Sequence, residues 1–497
     1  MSKPLPLIRS MSWLHAWAGL IFGWLLFAIF TTGTLAVFDD ELDRWMRPEL
    51  AATGPFDADR VTARLLEELP PTPRWIITLP DTRRPQASVG WFQDGSFRLR
   101  LIDPATGAEL TPRETIGGDF FFRLHYRLYL PGGFGKWVVG AAAMAMLVTL
   151  AAGVLIHKRI FKDVFTFRPA SSPRRAWLDG HLLAGVLFLP FHLMITYTGL
   201  AILYDTYMPA AVDRLYDGSR GSFLAELAPE PPTRPAAGRP APPAPLEPML
   251  DSLRRPDGSQ GVRVIIIDHP GDAAALVQLH DAWDRRLVRI AQVTRFDGVT
   301  GIRLSGPEDL RPAHHVQGAM IGLHRVSFAD PWIRWFYFAA GAAGSAMIAT
   351  GLVLFTSRPR KDGDRFPDRV ARANVGAVAG LLLACIALLW ANRLLPADMP
   401  LRAPAELGCF LAVWIAAILH GFTVPTGRGW PVQCGLSALL CIALPVLDLG
   451  SSGNYALDGW RTGDAVVIGV HLSAIIAGLG LGLISLRLRR RLRKEAA

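Results

Sequence analysis

Hydrophobic and polar positions fall in long blocks along this chain. Apolar runs lie at about 13–37, 134–156, 178–203, 332–356, 374–394, 406–424, 432–449 and 465–486. Each approaches the about twenty apolar residues that cross a bilayer as helix, so the pattern predicts eight membrane helices. The first run is too long for a cleaved leader and lacks a small-residue cleavage site. It reads as a retained signal anchor.

Two polar segments, 38–133 and 204–331, interrupt the apolar pattern. In the first, the helical stretch ADRVTARLLEEL (58–69) precedes WIITL, ASVGWF and SFRLRLID. In the second, LEPMLDSLRR precedes VRVIII, AALVQL and LVRIAQVTRFDGVTG. Strand-like runs bounded by Gly, Pro and Asp predict an α+β domain in each segment. Between them LAPEPPTRPAAGRPAPPAPLEP (227–248) is too rich in Pro and Ala to build a core and reads as a linker.

The order repeats. LIDPATGAEL (101–110) matches TRFDGVTGIRL (294–304), and LHYRLYLPGGFGKW (124–137) matches LHRVSFADPWIRW (323–335). His15 precedes the Gly33 of TTG by the same interval as His181 precedes the Gly199 of YTG. The expected architecture is a membrane α-helical bundle with two α+β domains, built as a parallel repeat of helix, outer domain, helix. Its parts are a first helix (1–37), an outer domain (38–133), a second helix (134–157), a basic loop (158–177) and a third helix (178–203). A second outer domain (204–331), a fourth helix (332–356), a second basic loop (357–373) and a four-helix C-terminal extension with a basic tail (374–497) follow.

Composition agrees: 51% of the 497 residues are hydrophobic and only 19% charged, as in an integral membrane protein. The net charge of +10 gathers in short stretches between apolar runs: Lys158, Arg159, Lys162, Arg168, Arg174 and Arg175; Arg358, Arg360, Lys361, Arg365, Arg369 and Arg372; and Arg487 to Lys494 at the end. That is positive-inside patterning, not a nucleic-acid surface. It places both termini in the cytoplasm and both polar segments outside. Cys385, Cys409, Cys434 and Cys441 have no CxxC or zinc spacing, which predicts neither a disulfide framework nor a cysteine metal site. GLGLGLIS (478–485) lies within an apolar run and reads as helix packing, not as a nucleotide loop.

The candidate chemistry lies in histidines. His15, His125, His157, His181, His192 and His324 all sit within or at the ends of the first four helices. His181 and His192 are 11 residues apart. On a straight helix they would share a face about 20° from eclipsed, with about 16.5 Å of rise between them, although Pro190 can blur this. Imidazole is an iron ligand, and b-type haem needs no CxxCH, which is absent here. Two axial histidines from different helices can clamp one haem, and histidines at two depths can serve two. The competing readings are hydrogen bonding between helices or a proton-relay transporter. The cores of the four helices hold no Asp, Glu or Lys, which weighs against the relay. Arg123, Tyr126, Arg127 and Arg325 flank His125 and His324 and could pair with propionates, an anionic substrate or lipid headgroups. Trp13, Trp17, Trp24, Trp332 and Trp335 could contact haem or anchor the interface.

WLHAWAGLIFGWLLFAIFTTGTLAVFDDELD, GVLIHKRIFKDVFTFRP, LPFHLMITYTGL and LHYRLYLPGGFGKW resemble the PepSY-associated transmembrane family over about residues 8–360. The resemblance implies a bacterial inner-membrane protein with two periplasmic PepSY-like domains, linked to iron uptake. It implies a ferric-siderophore reductase, an oxidoreductase binding two b haems through membrane histidines. The matching positions are His15, His125, His157, His181, His192 and His324, of which four are expected as axial ligands. The inner haem is expected on His181 with His15 or His157, and the outer on His192 with His125 or His324. The partner would be a periplasmic ferric siderophore or other ferric chelate, and the electron donor a quinol or a cytoplasmic reductase. The alternative is a non-redox transporter, or an envelope scaffold whose outer domains bind peptides or proteases.

Overall fold

The computed structural model describes residues 6–496 except 51–53, 158–171, 228–233, 284, 308, 310, 327, 329, 358–364 and 426. Most of the two basic loops, including Lys158, Arg159, Lys162, Arg168, Arg358, Arg360 and Lys361, lies outside the described residues. In chain order the structure begins with α1 (Pro6–Ala36), α2 (Asp39–Trp45), α3 (Ala58–Glu68), β1 (Arg74–Thr78), β2 (Ala87–Gln93), β3 (Ser96–Ile102) and β4 (Glu109–Leu110). Next come α4 (Asp119–Arg127), α5 (Phe134–Ile156), α6 (Pro173–Leu187), α7 (Leu189–Ala201) and, after short helical turns, α8 (Glu247–Asp251). Then follow β5 (Val262–Asp268), β6 (Leu276–Asp281), β7 (Val293–Asp297), β8 (Arg303–Ser305), α9 (Pro312–Arg325) and α10 (Pro331–Thr356). The chain closes with α11 (Phe366–Leu394, with a π turn at Val375–Ala379), α12 (Arg402–Thr423), α13 (Gly429–Ser451), α14 (Tyr455–Thr462) and α15 (Ala465–Ala496).

These elements form two compact units. The helical unit holds Met1–Pro48, Arg113–Leu200 and Pro331–Ala497, and the sheet unit holds Glu49–Pro112 and Ala201–Asp330. In the helical unit, α1, α5, α10, α11, α12, α13 and α15 are long and apolar enough to cross a membrane. The third expected span is not one straight helix: its two pieces, α6 and α7, meet at 65°. Pro190, at the second position of α7, has no N–H to give, and its ring would clash with the carbonyl of residue 186 in a continuous helix. The helical unit also takes in two pieces expected in the first outer domain, α2 and the segment from Arg113 through α4. Phe120 and Phe121 of α4 are buried, and the Phe120 ring centre lies 4.8 Å from that of Phe410 on α12.

The sheet unit corrects the expectation of two separate domains. Its strands form one eight-stranded antiparallel sheet in the order β4-β3-β2-β1-β5-β6-β7-β8. The two four-stranded halves join where β1 pairs with β5, with Ile76 opposite Ile266. Joining there covers two edges whose main-chain groups would otherwise be open. One core results: Val61 and Leu65 of α3 and Met249 and Leu250 of α8 cover Trp75, Ile77, Val89, Ile265, Ile267 and Val277. The two matched turns are built alike. Asp103 Oδ1 accepts from Ala105 N, Thr106 N and Thr106 Oγ1 at 2.8–3.0 Å, and Asp297 Oδ1 accepts from Val299 N, Thr300 N and Thr300 Oγ1 at 3.0–3.1 Å. Gly107 (φ 72°) and Gly301 (φ 74°) then take left-handed backbone, which an L side chain would strain.

The Pro-rich stretch is not a free linker where it is described. Ala241 N donates to Gly271 O at 2.9 Å and Ala244 N to Gly298 O at 2.8 Å, so this segment lies along the sheet's connecting turns. The expected final strand from 287 forms ladder pairs only at Val293–Asp297.

Candidate functional site

An α-helical carbonyl keeps a second lone pair after bonding the N–H four residues on. The surface beside it is normally covered by the side chain of that fourth residue. A glycine there lets another group approach. Four histidines of the helical unit use this arrangement.

His15 on α1 places Nδ1 2.8 Å from Thr149 O on α5, and its Cε1 lies where a Cβ on Gly153 would come within 3.2 Å. His181 on α6 places Nδ1 2.8 Å from Met347 O on α10, with Cε1 3.1 Å from the Cβ position of Gly351. His125 on α4 places Nδ1 2.9 Å from Ile29 O on α1, with Nδ1 2.6 Å from the Cβ position of Gly33. A carbonyl only accepts, so Nδ1 carries the proton in all three. This tautomer puts the lone pair on Nε2, as second-shell hydrogen bonds arrange in metal sites.

His192 differs. It is fully buried, with Nε2 3.3 Å from Ala340 O, and Gly344 is the matching glycine. Among the described residues, no hydrogen bond to Nδ1, the nitrogen nearer its own backbone, meets normal geometry. The rings of Phe30, Phe188 and Phe191 surround it at 6.0–6.4 Å. Because the helix breaks between His181 and His192, they do not stand about 16.5 Å apart on one face. Their carbonyl partners are seven residues apart on α10, about 10.5 Å of helix.

His15 and His181 are brought together: their ring centres are 6.2 Å apart and their planes cross at 83°. Both line a cavity of about 550 Å³ with His157, the residue that ends α5. Gly19, Gly23, Gly153, Gly185 and Gly351 keep the cavity open, and Leu20, Leu150, Val186, Ile348 and Leu352 make its wall apolar. Ser12, Ser172, Arg174 and Arg175 also line it, and Arg175 Nε pairs with buried Asp179 at 2.9 Å. His324 is carried by α9 of the sheet unit. Of the five tryptophans considered, none is among the lining residues. Trp24 Nε1 donates to Asn374 Oδ1 at 2.7 Å, and Trp332 is 84% exposed. Arg123 pairs with Asp119, and the guanidinium of Arg127 lies 5.6 Å from the Tyr126 ring centre.

A metal bound to two imidazoles lies about 2.0–2.1 Å from each nitrogen, and each ring centre about 1.1 Å further, which gives a centre separation of about 6.3 Å. The His15–His181 spacing fits that value. Among the described residues no three His, Cys, Asp or Glu side chains converge as a metal site. Two histidines alone suit a metal that brings its own equatorial ligands, as haem iron does. Sequence reading found these histidines but not their carbonyl and glycine seats. The signal was present: Gly33, Gly153 and Gly351 stand in the repeated TTG, GVL and GLV stretches.

A family model described as the PepSY-associated TM region matches residues 12–358, which include all six histidines. A Pseudomonas aeruginosa protein described as uncharacterized protein PA4219 is 29% identical over 358 residues, 67% of this chain and 86% of that protein.

Proposed function

This multi-pass membrane protein belongs to the PepSY-associated TM region family, and from that premise we propose that it is a di-haem b electron-transfer protein of the bacterial inner membrane. Its termini are cytoplasmic and its polar segments periplasmic, in keeping with the basic stretches between spans. Its substrate is a ferric siderophore or another ferric chelate on the outer side. One electron reduces ferric to ferrous iron, and hard hydroxamate or catecholate oxygens then hold the metal less tightly. A quinol or a cytoplasmic reductase supplies the electron.

The observation that carries this reading is the facing pair His15 and His181 in an apolar cavity. These two residues would hold the inner haem. His125, seated in the same way, would hold the outer one, with His192 of the same unit as its partner. Haem supplies one-electron chemistry at such sites. The chain fixes the tautomer of His15, His125 and His181 through Nδ1, walls the cavity largely with leucine and glycine, and offers Arg174 and Arg175 to the propionates. The internal repeat accounts for the matched pairs His15 with His181 and His125 with His324. His192 has Leu26 as its counterpart and falls outside that symmetry.

The test is a visible spectrum of the purified protein before and after dithionite. Reducible b-type Soret and α bands are expected from haem-replete cells. Their absence would leave the non-redox transporter or scaffold. His192→Ala then tests the outer ligand: it should abolish the same haem as His125→Ala.

The glycine seats give a graded prediction. A Cβ on Gly33 would stand 2.6 Å from the His125 Nδ1, closer than any real contact, whereas one on Gly351 would stand 3.1 Å from the His181 Cε1. Gly33→Ala should weaken haem retention about tenfold or more, as loss of a ligand's supporting partner does. Gly351→Ala should cost clearly less. Haem-to-protein ratios after gel filtration measure both, and equal losses would contradict the seat geometry.

A further inference from the structure

The four long C-terminal helices, α11, α12, α13 and α15, lie beyond residues 12–358, and membership of the family gives them no task. We infer that they position His125, through one buried carboxylate, Glu406 on α12. This rests on the reading of His125 as a haem ligand.

The side chains of Glu406 and Arg402 are both fully buried. Glu406 Oε2 accepts from Thr115 Oγ1 at 2.7 Å and from Ile116 N at 2.8 Å. Its Oε1 accepts from Asn392 Nδ2 at 2.9 Å and from Arg402 Nη1 at 2.5 Å. Arg402 donates also to Glu114 O at 2.8 Å, and Arg113 Nη1 to Asn392 O at 3.0 Å. The segment 113–116 is therefore stapled, residue by residue, to α11 and α12. A buried main-chain N–H such as that of Ile116 needs an acceptor, and Glu406 supplies it while neutralising Arg402.

This segment leads directly into α4, which carries His125. Gly118 at the start of α4 lies so close to α2 that a Cβ would be 1.9 Å from Asp39 O. Phe120 is wedged against Phe410 of α12. At the other end His125 Nδ1 is bonded to Ile29 O at 2.9 Å, in a seat where a Cβ on Gly33 would come within 2.6 Å of it. With its start held by α12 and α2 and its ring held by α1, α4 has one position along its own axis. The C-terminal helices set that position, so Glu406 is a positioning residue for the imidazole.

The test uses the full-length protein and follows the haem lost in His125→Ala. Glu406→Gln should weaken retention of that haem about tenfold. It should also turn part of its low-spin ferric EPR signal into a high-spin one, while the His15–His181 haem stays unchanged. Thr115→Val should do the same to a smaller extent and Thr115→Ser should not. Gln433→Ala is the control for general loosening: Gln433 is buried in the same helices but donates to Ala417 O. Should Glu406→Gln fail to accumulate, the Thr115 pair carries the test from the other side of the contact. A full His125-dependent signal in both Glu406→Gln and Thr115→Val overturns the inference, as does an equal loss in Gln433→Ala. Unaltered protein without haem would instead sink the haem reading itself.

Discussion

Replacing His15 or His181 with alanine is expected to remove one and the same haem. The haem-to-protein ratio should fall from about two to about one in each variant, with no further loss in the double variant. The reason is geometric. The two ring centres lie 6.2 Å apart with their planes crossed at 83°, each ring held by a carbonyl on a different partner helix, Thr149 O or Met347 O. Each imidazole is tied to its own carbonyl in a seat that a glycine leaves open, so neither alone would supply both ligands. His157→Ala should keep this haem and alter only its surroundings. Pyridine haemochrome assay with a redox titration separates the outcomes. If the two variants lose different haems, or if His157→Ala empties the cavity, the pairing is wrong.

The second large effect lies in the C-terminal helices. Arg393 and Asp448 are fully buried, with Arg393 Nε 2.6 Å from Asp448 Oδ1. Arg393 also donates to Asn392 Oδ1 at 2.7 Å and to Trp45 O at 2.6 Å, and its guanidinium lies 3.7 Å from the Trp45 ring centre. Asp448 Oδ2 accepts from Trp45 Nε1 at 2.9 Å and His471 Nε2 at 2.8 Å, and His471 Nδ1 accepts from Trp460 Nε1 at 2.9 Å. Removing one charge leaves the other buried and unpaired. Arg393→Met should therefore destabilise the protein by about 3–5 kcal/mol. Arg393→Met with Asp448→Leu should recover much of that, since an apolar pair carries no stranded charge. Thermal unfolding in detergent measures both. A single variant as stable as the unaltered protein would show that water reaches this cluster.

Little of this network was legible in the sequence. Arg393, Arg402, Glu406 and Asp448 sit near the ends of apolar runs, where charged residues ordinarily flank a span and face water or headgroups. Nothing in their spacing along the chain says that they converge. His471 likewise reads as one histidine in an apolar run, although in the fold it bridges Asp448 and Trp460. The histidines of the first four helices were more legible, because a polar ring in an apolar run stands out against its neighbours.

Sequence by itself determined seven of the eight expected spans, since hydropathy is a local sum over about twenty residues, but not the bend in the third. It determined the matched Asp-x-x-Thr-Gly turns, because only short side-chain oxygens and a glycine make that geometry. It also determined which histidines deserved notice. Tertiary structure alone decided that the two sets of strands share one sheet. Edge pairing between β1 and β5 joins residues almost two hundred positions apart, and no local pattern encodes it. It decided too that His181 faces His15 while His192 turns into a phenylalanine cage, because the break before Pro190 re-aims the helix between them. Side-chain periodicity predicts a face only while a helix stays straight, and here the candidate pair depends on where it does not.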